Sequence, residues 1–217
     1  MTRIKICGLT NLTDAECAVN HGADMLGFIF YAKSPRYINP VVVRSLLDGL
    51  GERRSKITAI GVFVNTAPQT ITDILKQTGL DIAQLSGDET PDDVLALEGR
   101  AYKVVRNAEQ AKQFYESGML QATAFSTPGL LLDADHPMLY GGSGMRVDHS
   151  IASLIAQKCR LLLAGGLKPE NVISALSVVH PWGVDVASGV EASPGRKDHA
   201  KVMQFIQAVR EFDKDQR

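Results

Sequence analysis

Residues 160–177, RLLLAGGLKPENVISALS, contain one complete unit of the fold. Leu161 to Ala164 form a short apolar run without polar alternation, which predicts a strand buried on both faces, as in a parallel sheet. Gly165 and Gly166 end it, and "PENVISALS" (169–177) predicts a helix. The same unit recurs along the chain. Strand-like runs fall at "RIKIC" (3–7), "ADMLGFIF" (23–30), "ITAIGVFV" (57–64), "LDIAQL" (80–85), "AYKVV" (101–105), "GLLLD" (129–133) and "WGVDVAS" (182–188). Helix signals lie between them. Thr13 to Glu16 has the form of a capping box closed by Gly22, and Asn39-Pro40 supplies a cap with proline in the first turn. "PQTITDILKQTG", "PDDVLALEG" and "NAEQAKQFYESG" each run to a terminating glycine. In the last helix Val202, Phe205, Ile206 and Val209 fall at i, i+3, i+4 and i+7. Strict alternation of eight strands with helices predicts an α/β protein, a single-domain (β/α)₈ TIM barrel over residues 1–217. "CGLTN" after the first strand is not G-x-G-x-x-G, which argues against a dinucleotide-binding open sheet.

Bulk properties narrow the functions. The chain has 217 residues, 45% hydrophobic and 22% charged, with a formal net charge of -1. That balance gives no global attraction to nucleic acid or to an anionic membrane, so any anion site must be local. The N-terminus lacks a signal-peptide core, and no apolar stretch approaches the roughly 20 residues needed to span a bilayer. The three cysteines (Cys7, Cys17, Cys159) and five histidines have no metal-ligand spacing, so neither a disulfide framework nor a metal site is expected. The expectation is a cytoplasmic protein with no nucleic-acid or membrane partner.

Barrel enzymes place their chemistry at the C-terminal ends of the strands. Those ends carry Cys7, Arg36, Asn65, "QLSGDE", Arg106, Asp133, Gly165-Gly166 and "ASGVE". The turns at Gly165, Gly166, Ser188 and Gly189 can bring backbone amides to a phosphate. Asp133 ends an apolar strand, a costly place for a carboxylate without a task, and suits a general acid. Alternation sets Ile4 and Ile6 on one face of the first strand and Lys5 and Cys7 on the other, toward the barrel interior. Lys5 below Cys7 is expected to stabilise a thiolate, with Asp185 on the neighbouring eighth strand holding Lys5. A thiolate base and a carboxylic acid facing a phosphate site suggest proton transfer on a sugar phosphate.

The ordered set "KICGLT", "GFIFYAKSPRYI", "GVFVN", "LDIAQLSGDE", "LLLD", "GGSG", "LAGGLKPENV" and "GVDVASGVEASPGRKD" resembles the phosphoribosylanthranilate isomerase family over almost the whole chain. The resemblance implies a (β/α)₈ barrel that catalyses the Amadori rearrangement of N-(5-phosphoribosyl)anthranilate in tryptophan biosynthesis without a cofactor. It makes Cys7 the general base, Asp133 the general acid, and Arg36 the partner of the anthranilate carboxylate. Gly142, Ser143 and Gly144, with Gly165, Gly166, Asp185, Ser188 and Gly189, complete the expected substrate-contacting set. The family usually has histidine at Ser86, lysine at Met145 and serine at Ala187, which touches neither acid, base nor Arg36. The rival barrels fit less well: a ribulose-phosphate 3-epimerase would want metal ligands, and an indole-glycerol-phosphate synthase a catalytic lysine and glutamate. A non-catalytic phosphoribosyl binder would not need Cys7 and Asp133. A small phosphosugar is the expected partner, and the chain could be a monomer or a homodimer.

Overall fold

The computed structural model describes residues 1–118, 127–133 and 149–216. Eight strands run in parallel: β1 Arg3–Cys7, β2 Met25–Ile29, β3 Thr58–Phe63, β4 Ile82–Leu85, β5 Ala101–Val105, β6 Leu130–Asp133, β7 Leu161–Ala164 and β8 Gly183–Val186. Each pairs with the next, and β8 closes on β1 with Lys5 opposite Asp185. The open-sheet alternative is thereby excluded. Helices alternate with the strands: α1 Leu12–His21, α2 Pro40–Gly49, α3 Pro68–Thr78, α4 Pro91–Leu95, α5 Ala108–Glu116, α6 His149–Ala156, α7 Val172–Val179 and α8 His199–Asp215. Between β8 and α8 lie a 3₁₀ turn, Ser188–Val190, and a small antiparallel hairpin of β9 Glu191–Ser193 with β10 Arg196–Lys197.

Local chemistry explains most helix ends. The Asn39 side chain accepts from the Val41 N–H with Pro40 in the first turn, and Asn107 accepts from Gln110 at the start of α5. α1 differs from expectation: its cap is Asn11, whose side chain accepts from the Asp14 N–H, while Thr13 lies inside the helix. Asn11 reaches the open amides first, and its Nδ2 donates in turn to Asp14 Oδ2 at 2.8 Å. α7 begins at Val172, three residues after Pro169, because "KPE" is spent on a turn in which Lys168 N–H donates to the Asn171 side chain.

Two apolar shells place the mouth. Ile4, Ile6, Leu26, Phe28 and their equivalents face outward against the helices, where Val202, Phe205, Ile206 and Val209 of α8 are all buried. Met25, Ile60, Ile82, Tyr102, Val104, Leu131 and Leu162 fill the barrel interior. Period-two alternation therefore lifts Lys5 and Cys7 into the interior, and parallel closure brings every strand's C-terminal end to one rim.

Candidate active site

A buried polar layer underlies the rim. The Lys5 ammonium is fully buried and donates to Gln84 Oε1 at 2.8 Å and to Asp185 Oδ2 at 3.1 Å. Tyr102 Oη also donates to Gln84 Oε1, at 2.8 Å, and Gln84 Nε2 donates to Ser86 Oγ at 3.2 Å. Burial works to discharge Lys5, but the charge of Asp185 and its hydrogen bond to the ammonium hold Lys5 above its ordinary pKa. The expected Lys5–Asp185 pair is present, and it occupies one carboxylate oxygen of Asp185.

Cys7 sits one layer above, 5% exposed, opposite Gly27 on β2. A Cβ at Gly27 would lie 2.7 Å from Cys7 Sγ and 3.1 Å from Lys5 Cε. Glycine there is what lets the thiol and the ammonium stack on one side of the strand. Lys5 favours the thiolate as expected, but desolvation is the larger effect and pushes the Cys7 thiol up from its ordinary value. In the free protein Cys7 is a neutral thiol at neutral pH, lying beside a cation.

Asp133, half-buried, ends β6 opposite Ala164 of β7. Burial raises the Asp185 carboxyl, Lys5 draws it down, and repulsion from Asp133 adds to the rise, so the two carboxylates belong to one electrostatic unit. Cys7, Lys5, Asp185 and Asp133 are therefore electrostatically coupled, with Lys5 and Asp185 in the layer beneath the rim.

The glycine turns meet as expected. Gly165 and Gly166 have φ of 94° and 61°, values that side chains resist. A Cβ at Gly189 would run into the Leu167 carbonyl oxygen, so the turn after β8 rests directly on the turn after β7. Ser188 is exposed and Gly189 half-buried at that junction, which leaves their polar groups open to an anion. Gly142, Ser143 and Gly144, along with Met145, lie outside the described residues.

Arg36 is held more firmly than its sequence suggests. Nε and Nη2 donate to the two oxygens of Glu191 at 2.9 and 2.7 Å. Gly8, at φ 76°, makes room beneath it: a Cβ there would come within 2.7 Å of Arg36 Cδ. Glu191 Oε1 also accepts from Lys197 Nζ at 3.0 Å, and Lys197 Nζ donates to the Ala187 carbonyl at 3.0 Å. Burial would raise the Glu191 carboxyl, but Arg36 and Lys197 reverse this and hold it below the usual carboxylate range. Asp14 fixes the hairpin from below, accepting from the Lys197 N–H at 2.9 Å and bonding His199 Nε2 at 2.8 Å.

Asn65 and Arg106 have bracing roles. The Asn65 N–H donates to Glu89 Oε1, whose other oxygen accepts from Lys103 Nζ at 2.8 Å and Gly87 N–H at 2.8 Å. Arg106 Nη2 donates to the Ser86 carbonyl at 3.0 Å. Both stiffen the loop after β4. Glu191, Lys197, Gln84, Tyr102 and Gly27 were not picked out by sequence reasoning as site residues. Glu191 and Lys197 stand within the quoted "GVEASPGRKD", so a signal existed for them. For Gly27 the only signal was a glycine inside a strand.

Comparison with known proteins shows the family. A family profile described as N-(5'phosphoribosyl)anthranilate (PRA) isomerase matches residues 4–208. A Pelobacter propionicus N-(5'-phosphoribosyl)anthranilate isomerase is 41% identical over 211 residues, covering 97% of each chain. The Chlorobaculum tepidum protein of that name is 42% identical over 219 residues, covering 99% of this chain and 97% of its own. The crystal structure of phosphoribosyl anthranilate isomerase from Thermotoga maritima superposes with a TM-score of 0.83 at 39% identity, covering 97% of this chain and all of that one. A further structure of such an isomerase, at TM-score 0.80 and 36% identity with 97% and 100% coverage, is a complex with reduced 1-(o-carboxyphenylamino)-1-deoxyribulose 5-phosphate.

Proposed function

The chain belongs to the N-(5'-phosphoribosyl)anthranilate isomerase family and is an isomerase of tryptophan biosynthesis, and we propose that Cys7 and Asp133 perform its rearrangement as base and acid. The observation that carries this reading is the placement of the buried Cys7 thiol beside the Lys5 ammonium on the same rim as Asp133.

Asp133 gives a proton to the ribose ring oxygen. The C1–O bond breaks as the anilino nitrogen lone pair forms a C1=N iminium. The positive iminium acidifies the C2 proton, which passes to the Cys7 sulfur. The resulting enolamine ketonises to 1-(2-carboxyphenylamino)-1-deoxyribulose 5-phosphate. Cys7 takes that proton as the thiolate, its own proton having passed to solvent as the substrate binds, and the iminium forming above it joins Lys5 below it in favouring that form. The substrate phosphate rests on the turns at Gly165-Gly166 and Ser188-Gly189, with Gly142, Ser143 and Gly144 assigned to the same end. Arg36 takes the anthranilate carboxylate, for which a planar guanidinium is well shaped. Asp185 serves through Lys5. All these residues come from one chain, so the chemistry works in a monomer or a homodimer. Among the described residues no helix is long and apolar enough to cross a membrane, and the cytoplasm is the compartment we assign.

The test is turnover. Freshly prepared phosphoribosylanthranilate should lose its fluorescence when the purified chain is added at catalytic concentration, and Asp133→Asn should abolish the loss. A folded wild-type sample that leaves the fluorescence unchanged would overturn the assignment, and full activity in Asp133→Asn would move the acid elsewhere.

A further inference from the structure

We propose that Glu191 is the positioning residue that makes Arg36 specific for the aromatic carboxylate, with Lys197 supplying the surplus charge that lets an anion bind there. The inference rests on the assignment of Arg36 to that carboxylate.

A guanidinium has five N–H donors. Glu191 takes one from Nε and one from Nη2, the side edge of the fork. The end-on edge, made of Nη1 and the second Nη2 hydrogen, has no hydrogen-bond partner among the described residues. With Gly8 packed under Cδ, the plane of the guanidinium is fixed by a carboxylate on one side and by backbone beneath. A second carboxylate can therefore meet it end-on with two parallel hydrogen bonds and no reorganisation of the side chain.

Charge decides why a third residue is needed. An Arg36–Glu191 pair alone is neutral, and a substrate carboxylate brought to it would meet Glu191's repulsion as well as Arg36's attraction. Lys197 lies 3.0 Å from Glu191 Oε1 on the other side, its Nζ fully buried between that oxygen and the Ala187 carbonyl. The three side chains together carry one net positive charge, facing the mouth through Arg36. Asp14 and His199 hold the Lys197 backbone, so the β9–β10 hairpin is a frame for this unit.

A substrate comparison isolates the effect. Each variant is assayed with phosphoribosylanthranilate and with the analogue made from aniline and ribose 5-phosphate, which lacks the carboxylate. The readout is the ratio of the two kcat/KM values, from which any general loss of fold or of Cys7 reactivity cancels. Wild type should prefer the carboxylate substrate. Lys197→Met, and the double variant Glu191→Gln/Lys197→Met, which removes the tether while the unit keeps one net positive charge, should each reduce that preference about tenfold, the scale of one charge-assisted hydrogen bond, mostly through KM. Arg36→Met should remove the preference. If Arg36→Met removes it while the double variant keeps the wild-type ratio, the positioning role is wrong and the Arg36 assignment stands. If Arg36→Met itself keeps the ratio, the carboxylate is recognised elsewhere.

Discussion

At the scale of single residues, Cys7 shows two opposing effects of its position. The strand alternation that lifts it into the barrel also removes it from water, and desolvation exceeds the pull of Lys5. The thiol therefore titrates above its ordinary value of 9.0. The base form is the thiolate, so its fraction grows with pH up to the folded-state pKa. The rate at which iodoacetamide alkylates Cys7 in the free protein, taken as wild type minus Cys7→Ser, should thus keep climbing from neutral pH to beyond 9, where a thiol activated in the free protein would already have levelled off. An alkylation profile flat above pH 7 would show that the free protein holds a preformed thiolate. Cys7, Lys5 and Asp185 were legible in the sequence because face alternation and the neighbouring of first and last strands are both fixed by a closed barrel. The net direction of the Cys7 titration was not, because it depends on how completely Gly27 and the strands around it exclude water.

At the scale of elements, the hairpin after β8 links the catalytic rim to α1. Asp14 receives three bonds, from Asn11 Nδ2, the Lys197 N–H and His199 Nε2. Replacing Asp14 by Ala leaves the buried Lys197 N–H without an acceptor and should cost about 2 kcal/mol in urea unfolding at pH 7. Burial would raise the Asp14 carboxyl, yet the Lys197 N–H and His199 outweigh it and its folded pKa is lowered. A lowered folded pKa contributes stability that is present above the unfolded value of about 3.9 and is lost as pH falls through the folded one. The gap between wild type and Asp14→Ala should therefore narrow between pH 5 and pH 3. A gap that stays constant across that range would place the effect in packing rather than in the charge. None of this was readable in the chain. β9 and β10 are three and two residues long, too short for any period to show, and the contacts span more than 150 residues of sequence. α6 was missed for another reason: "HSIASLIA" is apolar around much of its circumference, which hides its period.

At the scale of the molecule, eight short apolar runs were enough to give the barrel, since parallel strands buried on both faces have few other ways to close. The strand-end inventory then placed Asp133, Cys7 and the glycine turns on one rim, whereas Arg36's partner emerged only in three dimensions. A mouth already assembled in the free protein has a thermodynamic signature. A ligand that binds only the folded state at a hundred times its Kd adds about 2.7 kcal/mol of stability. For a chain of this size that corresponds to a rise in Tm of roughly 5–10 °C. The reduced product 1-(2-carboxyphenylamino)-1-deoxyribulose 5-phosphate should produce this shift at saturation, and the absence of any shift would mean that the rim does not bind it.

The base role of Cys7 is the central claim, and single-turnover kinetics of Cys7→Ser tests it most directly. A hydroxyl in the same place is a far weaker base, so turnover of phosphoribosylanthranilate should fall by about 10²- to 10⁴-fold, while the reduced product binds within about twofold of its wild-type Kd, a small fraction of a tenfold step. Near-normal turnover in Cys7→Ser, with binding intact, would contradict it.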